Sequence, residues 1–364
     1  TARRSTLEGN RDRSLRCPRG RLASARQPRR NSSISSLSAR GPRMAQREAR
    51  FDTVLPADVV EVQGQDLAVG CYELVEGQDQ RRGRLWILDA RTLKPQCSWE
   101  DASGGVLDLR WYDDRKLVAA CADGTVVFLS RDETGLAERG RTAVGASLVL
   151  SLDVEAEESL VACSAADGSL NVVQVDIQTA TWTAPKAHDY EVWTVAFHRD
   201  KNTILSGSDD GRIRVWDLRA PATAGPMLAK RAAHGGLGVT AIRSDPVEET
   251  IVITGGYDDH IRLFDLRSMR ETVSSPTHIG GGPWRIKPNP EDSRSFLVPG
   301  MYAGAFLLYR FNEHGAFTVV TQYSEHESIV YGAAWSYGLP VTCSFYDHSV
   351  HMWSSTDHTS SKIC

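Results

Sequence analysis

Long apolar runs are missing from this 364-residue chain. No stretch approaches the roughly 18 residues that a membrane-spanning helix requires, so neither a span nor a membrane partner is expected. Paired cysteine spacing is missing too: the seven cysteines, at 17, 71, 97, 121, 163, 343 and 364, include no Cys-x-x-Cys. That argues against a metal site, a disulfide framework or a redox motif. Cys121, Cys163 and Cys343 each fall just before a turn, where a small buried residue is wanted. They read as reduced core residues in a reducing, cytoplasmic compartment. Common catalytic signatures are absent as well. There is no Gly-x-Ser-x-Gly elbow, no His-Glu-x-x-His, no Walker loop and no Gly-x-Gly-x-x-Gly turn, and no cofactor is expected. His348 and His351 are three apart on a strand and face opposite ways, which argues against a metal pair.

Acidic residues are scarce at one end only. Residues 1–50 hold 14 of the 42 basic residues, all Arg, against Glu8, Asp12 and Glu48. The remainder carries 28 basic and 43 acidic residues, a formal charge of −15, which argues against nucleic acid as a partner and favours a cationic group or a basic surface. Residues 1–43 are rich in Arg and Ser, lack hydrophobic periodicity and read as a disordered extension. Met44 directly precedes the first patterned segment and is expected to be the natural start, ahead of a transit peptide, which the same composition also fits.

What the chain has in abundance is one pattern: a small-residue run, an Asp-Gly-like turn, and an alternating apolar strand that often ends in Trp-Asp. Ser206-Gly-Ser-Asp-Asp-Gly-Arg-Ile-Arg-Val-Trp-Asp217 is the clearest copy. The turn glycine, or its stand-in, falls at Gly83, Gly124, Gly168, Gly211, His260, Gly304 and His348, with gaps of 41 to 49 residues. That period with that ending is the signature of WD40 propeller blades. The expectation is an all-β, seven-bladed WD40 β-propeller over residues 44–364, monomeric and closed by an N-terminal strand. Inner strands are expected at Val59–Val62, Val106–Trp111, Val149–Asp153, Val192–Phe197, Val239–Arg243, Trp284–Lys287 and Tyr331–Trp335. Trp353 lies on the third strand of the last blade, so Phe51–Leu55 is the expected donor of its fourth.

His188, Ser206 or Ser208, Asp210 and Trp216 fit a structural hydrogen-bond network repeated at His234, Thr254 and Asp259, and at His326, Ser344, Asp347 and Trp353. A Ser/His/Asp set that recurs in three blades reads as scaffold rather than triad.

Glu191-Val-Trp193, Gly282-Pro-Trp284-Arg285-Ile-Lys287, Tyr331-Gly-Ala-Ala-Trp335 and Cys343-Ser-Phe-Tyr-Asp-His348 resemble the diphthine methyl ester hydrolases. These are the WD40 proteins of the eukaryotic diphthamide pathway, called diphthine methyltransferases in older nomenclature. The resemblance runs from about Phe51 to Trp353 and is strongest from His188 onward. Pro283 departs from the family's Gly-Gly-Val-Trp-Arg, and an insertion some members carry before the last blade is absent. The resemblance implies removal of a methyl ester from an over-methylated intermediate on a modified histidine of translation elongation factor 2, the implied partner. The freed carboxylate is then amidated. That substrate also carries a trimethylammonium group, for which Trp193, Trp284, Tyr331 and Glu191 at the channel mouth would provide aromatic faces and a carboxylate. His260, His348 and Glu191 are candidate bases, Arg285 or Lys287 candidate oxyanion donors, and Ser328 a candidate nucleophile. A competing reading is a non-catalytic scaffold, such as a substrate receptor of a cullin-4 ubiquitin ligase. Val215-Trp-Asp-Leu-Arg219 and Leu263-Phe-Asp-Leu-Arg267 resemble the WDxR box that docks the ligase adaptor.

Overall fold

Alternation with period two, cut every few residues by Asp-Gly turns, gives strands that bury both faces between neighbouring sheets. The structure, a computed structural model, describes residues 45–355 apart from 78–79, 102–103 and 313–314. The expected extension over residues 1–43 lies outside the described residues. Seven antiparallel sheets follow one another along the chain. Blades 1 to 6 comprise residues 57–101, 106–143, 149–184, 194–230, 239–278 and 287–323, and blade 7 starts from residues 330–355.

Ring closure is visible in the packing. Seven hydrophobic clusters each bridge two successive blades, from Val59, Leu85 and Leu109 between blades 1 and 2 to Val69, Val341 and Val350 between blades 7 and 1. Each fully buried Leu, Ile or Val contributes about 1.5–3 kcal/mol, so the ring is held by many equal joints rather than one core. An eighth cluster lies on the axis.

The N-terminal strand, Ala45–Asp52, completes blade 7 by pairing with Ser349–Ser355, from Ala45 opposite Ser355 to Asp52 opposite Ser349. The donor therefore begins six residues earlier than expected. It stops at Asp52 because Val54 takes a left-handed φ of 69°. Thr53 then fastens the latch: its amide donates to the His348 carbonyl at 2.8 Å, and its own carbonyl accepts from Trp86 Nε1 at 3.1 Å.

Other departures have local causes. The inner strand of blade 6 starts at Lys287, not Trp284, because Pro283 and Pro288 remove two amide donors. In blade 4 it starts at Thr194, since the Val192 amide bonds across to Ala165 of blade 3. The left-handed turn residue of blade 5 is Asp259 (φ 62°), not His260. Gly83 is not a turn residue at all; it lies inside the strand Arg81–Asp89.

The repeated network is present with two corrections. His188 bonds Asp210 (3.0 Å) and Ser206 (2.8 Å), and Trp216 donates to the same Ser206 hydroxyl at 3.0 Å. His234 uses Asp258 rather than Asp259, because the left-handed residue points away, and bonds Thr254 at 2.9 Å. His326 and Trp353 share the Thr342 hydroxyl (2.8 and 3.2 Å) rather than Ser344, since Thr342 pairs directly with His351 on the neighbouring strand.

Candidate functional site

One irregularity builds the axial site. In blades 1, 2, 3, 5 and 7 the inner strand slips register by one residue, leaving Asp58, Leu107, Leu150, Thr240 and Tyr331 as the extra residues. A bulge of this kind re-aims a side chain out of the pleat. Leu107, Leu150 and Tyr331 accordingly meet on the axis with Trp193, Trp284, Phe345 and Tyr72.

The aromatic members form an arc. Ring centroids are 6.5 Å apart for Tyr257–Trp193, 5.6 Å for Trp193–Trp284 and 4.9 Å for Trp284–Tyr331. The arc continues at 5.8 Å for Tyr331–Phe345 and 5.0 Å for Phe345–Tyr72. Trp193, Trp284 and Tyr331 are thus brought together. Trp193 is 8% exposed, and its Nε1 donates to Asp209 at 3.3 Å. Glu191 stands half-buried at the entry to blade 4; its carbonyl accepts the Asp209 amide at 2.9 Å.

The two candidate histidines stand apart from this arc. His260 opens a third strand, where its ring meets His278 at 4.9 Å and its Nδ1 meets the Asp258 carbonyl. His348 is the left-handed turn residue of blade 7 (φ 50°), and its carbonyl is spent on the Thr53 latch. His348 is thus held by a turn and His260 by the start of a strand, and neither ring touches an aromatic ring of the arc among the described residues. Ser328 lies in the loop entering blade 7, with no hydrogen bond to a base among the described residues. Arg219 and Arg267 are each bound through the guanidinium and the backbone amide to their own Asp217 and Asp265 at the exposed ends of third strands.

Arg285 does belong to the axis. It is 7% exposed, and its guanidinium reaches Asp108 at 3.4 Å and the Trp284 carbonyl at 3.3 Å. Arg110 joins Asp108 (2.8 Å) and Glu61 (2.9 Å), and Glu61 also binds Lys287. Burial, reinforced by Arg110, lowers the Lys287 ammonium to about 8 despite Glu61. Burial alone would raise Asp108, but Arg110 and Arg285 outweigh it and hold the carboxyl below its usual range.

Asp58 behaves differently, and sequence reasoning missed it. It is 6% exposed, and among the described residues no hydrogen bond or ion pair satisfies its carboxylate. Burial raises it to about 7; Arg285 opposes the shift and Asp108 adds to it. Its charge is felt by Tyr72 and Tyr331, whose hydroxyls are raised chiefly by burial and then by Asp58. Superposing the inner-strand patterns would have flagged an acid where other blades carry Leu107, Leu150 or Tyr331. A carboxylate poised near neutrality, a guanidinium and a wall of aromatic faces can activate water, stabilise an oxyanion and receive a cation. Among the described residues, no group of three or more His, Cys, Asp or Glu is placed to hold a metal.

The WD domain, G-beta repeat family matches residues 93–128, 179–217 and 226–265. A protein of Schizosaccharomyces pombe named diphthine methyltransferase is 31% identical, with 82% of this chain and 94% of that protein covered. The Homo sapiens protein of the same name is 30% identical, with 79% and 74% covered. A chain from the crystal structure of the mitotic checkpoint complex superposes with a TM-score of 0.71 at 16% identity, covering 91% of this chain and 98% of its own, which shows the fold alone.

Proposed function

The chain belongs to the diphthine methyltransferase family, and from that premise we propose that it hydrolyses the methyl ester of methylated diphthine on translation elongation factor 2. Membership itself supports a role in diphthamide biosynthesis. The finer reading, ester hydrolysis in the cytoplasm on that partner, rests above all on Asp58. It is a buried carboxyl near 7 with no hydrogen bond or ion pair among the described residues, and it interacts electrostatically with Arg285, Tyr72 and Tyr331.

A carboxylate at that value is half ionised at neutral pH and suited to general-base work. Ionised Asp58 takes a proton from water as the water oxygen bonds to the ester carbonyl carbon. The carbonyl π pair moves to oxygen, and Arg285 stabilises that oxyanion. Collapse reforms the carbonyl and breaks the bond to the methoxy oxygen, which takes the proton back from Asp58 and leaves as methanol. The freed acid ionises. Trp193, Trp284 and Tyr331 receive the trimethylammonium group, each aromatic contact contributing about 0.5–2 kcal/mol. Formal charge of −15 on the residues after 50 favours approach of that cation. The relatives' printed names describe methyl transfer; the acyl acceptor favoured by this site is water.

The test is incubation of the purified protein with elongation factor 2 bearing the methylated intermediate, without any methyl donor. Mass spectrometry is expected to show loss of one methylene equivalent with release of methanol, and Asp58→Asn to abolish both. Binding of the substrate with no conversion would overturn the hydrolase reading.

A further inference from the structure

A cavity of about 370 Å³ starts at Trp284 and Arg285 and extends past the residues that the ester chemistry uses. Its lining runs from Trp284 and Arg285 to His198 and Pro246 at the far ends of the inner strands, and includes Arg110, Asp153, Arg243 and Lys287. Arg110, Arg285 and Lys287 have carboxylate partners. Asp108 is shared by Arg110 and Arg285, Glu61 by Arg110 and Lys287, and Asp153 lies 3.7 Å from Arg110. Asp245 is taken by Arg310. Arg243 makes no ion pair or hydrogen bond among the described residues; burial lowers its guanidinium, opposed by the nearby charges of Asp153 and Glu61. Four buried side-chain atoms without hydrogen-bond partners belong to residues lining this one cavity: Arg243 Nε, Ser244 Oγ, Trp284 Nε1 and Arg285 Nε.

Leaving a buried guanidinium unpaired is costly, and so is orphaning a buried donor. These costs around one space are removed together by an acceptor-only ligand carrying negative charge. We propose that the channel binds one small oxyanion, of the carboxylate or phosphate class, held by Arg243 and Arg285 with the Trp284 indole N–H as a third donor. A carboxylate or phosphate occupies little more than the roughly 30 Å³ share of a water or two, so the cavity holds the anion with part of its hydration. The far end is flanked by exposed Arg199, which gives an anion an attractive entrance away from the aromatic mouth. The site shares Arg285 and Trp284 with the proposed ester chemistry, whereas Arg243 belongs to the anion site alone.

The test uses the full chain in chloride-free buffer, titrated calorimetrically with inorganic phosphate and, separately, with acetate; the two arms distinguish a tetrahedral from a planar anion. Saturable binding of one anion per chain by at least one of them is expected, weakened about tenfold or more in Arg243→Gln, the loss of a charged hydrogen bond. Arg243→Lys, which keeps the charge, retains part of the affinity. Anion-free melting separates this from a structural role. Arg243→Gln is expected to melt above wild type, because it removes a desolvated charge that no ion pair or hydrogen bond satisfies among the described residues. No saturable binding of either anion, undiminished binding in Arg243→Gln, or a lower anion-free melting temperature for that variant would overturn the proposal.

Discussion

Asp58→Asn is expected to stabilise the propeller while destroying its activity, and the stabilisation should depend on pH in a calculable way. An unfolded aspartate ionises near 3.9, whereas Asp58 in the fold is raised to about 7. Below the unfolded value both states are protonated and the residue carries no penalty. Between about 4 and 7 the unfolded chain sheds its proton and the folded one keeps it, so stability falls as pH rises. Above about 7 both are ionised and the penalty is constant. Three units at 1.36 kcal/mol each make it about 4 kcal/mol. Asparagine mimics the protonated acid, so the difference between variant and wild type should be small at pH 4.5 and grow to about 4 kcal/mol at pH 8. With about 2.1 cal/mol/K of unfolding entropy per residue, that is about 6 °C in Tm for a domain of this size. Melting both proteins across this range by calorimetry measures it. In the same window wild-type turnover should rise with pH through about 7 and then level, as the base form fills. A variant whose stability difference stays flat from pH 4.5 to 8 would refute the assignment of a buried, partnerless carboxyl, and with it the base.

A chain beginning at Val54 loses the whole latch strand and the Phe51–Trp86 contact at 5.4 Å. It should be less stable by at least about 2 kcal/mol, with hydrogen exchange accelerated at Ser349–Ser355 first. Trp284→Ala should weaken capture of the methylated intermediate about five- to thirty-fold, and Arg285→Ala should instead lower turnover about a hundredfold; activity falling only with the folded fraction would make both mere packing. Asp245→Ala strands Arg310, which is 1% exposed, and should cost about 3–5 kcal/mol in chemical denaturation, largely recovered by adding Arg310→Met.

The blades were legible because their signals are local. Alternation and Asp-Gly turns occupy a dozen residues each, and Val106–Trp111 forms an inner strand with the bounds its pattern predicts. Errors arise where one residue of register decides the outcome. Asp258 and Asp259 are indistinguishable in a string, yet only one has the left-handed φ that takes its side chain out of the His234 network. His260 and His348 look alike in a turn motif, but His260 opens a strand while His348 is the left-handed residue of a turn.

The site itself was half legible for a related reason. Trp193, Trp284 and Tyr331 stand out by residue type, whereas Asp58 is one of 46 acidic residues and matters only because a bulge turns it inward and nothing pairs with it. Repetition supplies the missing rule. The slip recurs in five blades, and three of the residues it frees, Leu107, Leu150 and Tyr331, pack together in the axial cluster. Blades 2 and 3 present Leu107 and Leu150, which only pack, while blades 1 and 7 present Asp58 and Tyr331. Blade 6 has its register shift at the other end of the inner strand, between Pro288 and Asn289, and Trp284 and Arg285 lie in the proline-bounded loop before that strand. Chemistry is thereby concentrated on the side of the channel where the repeat is least regular.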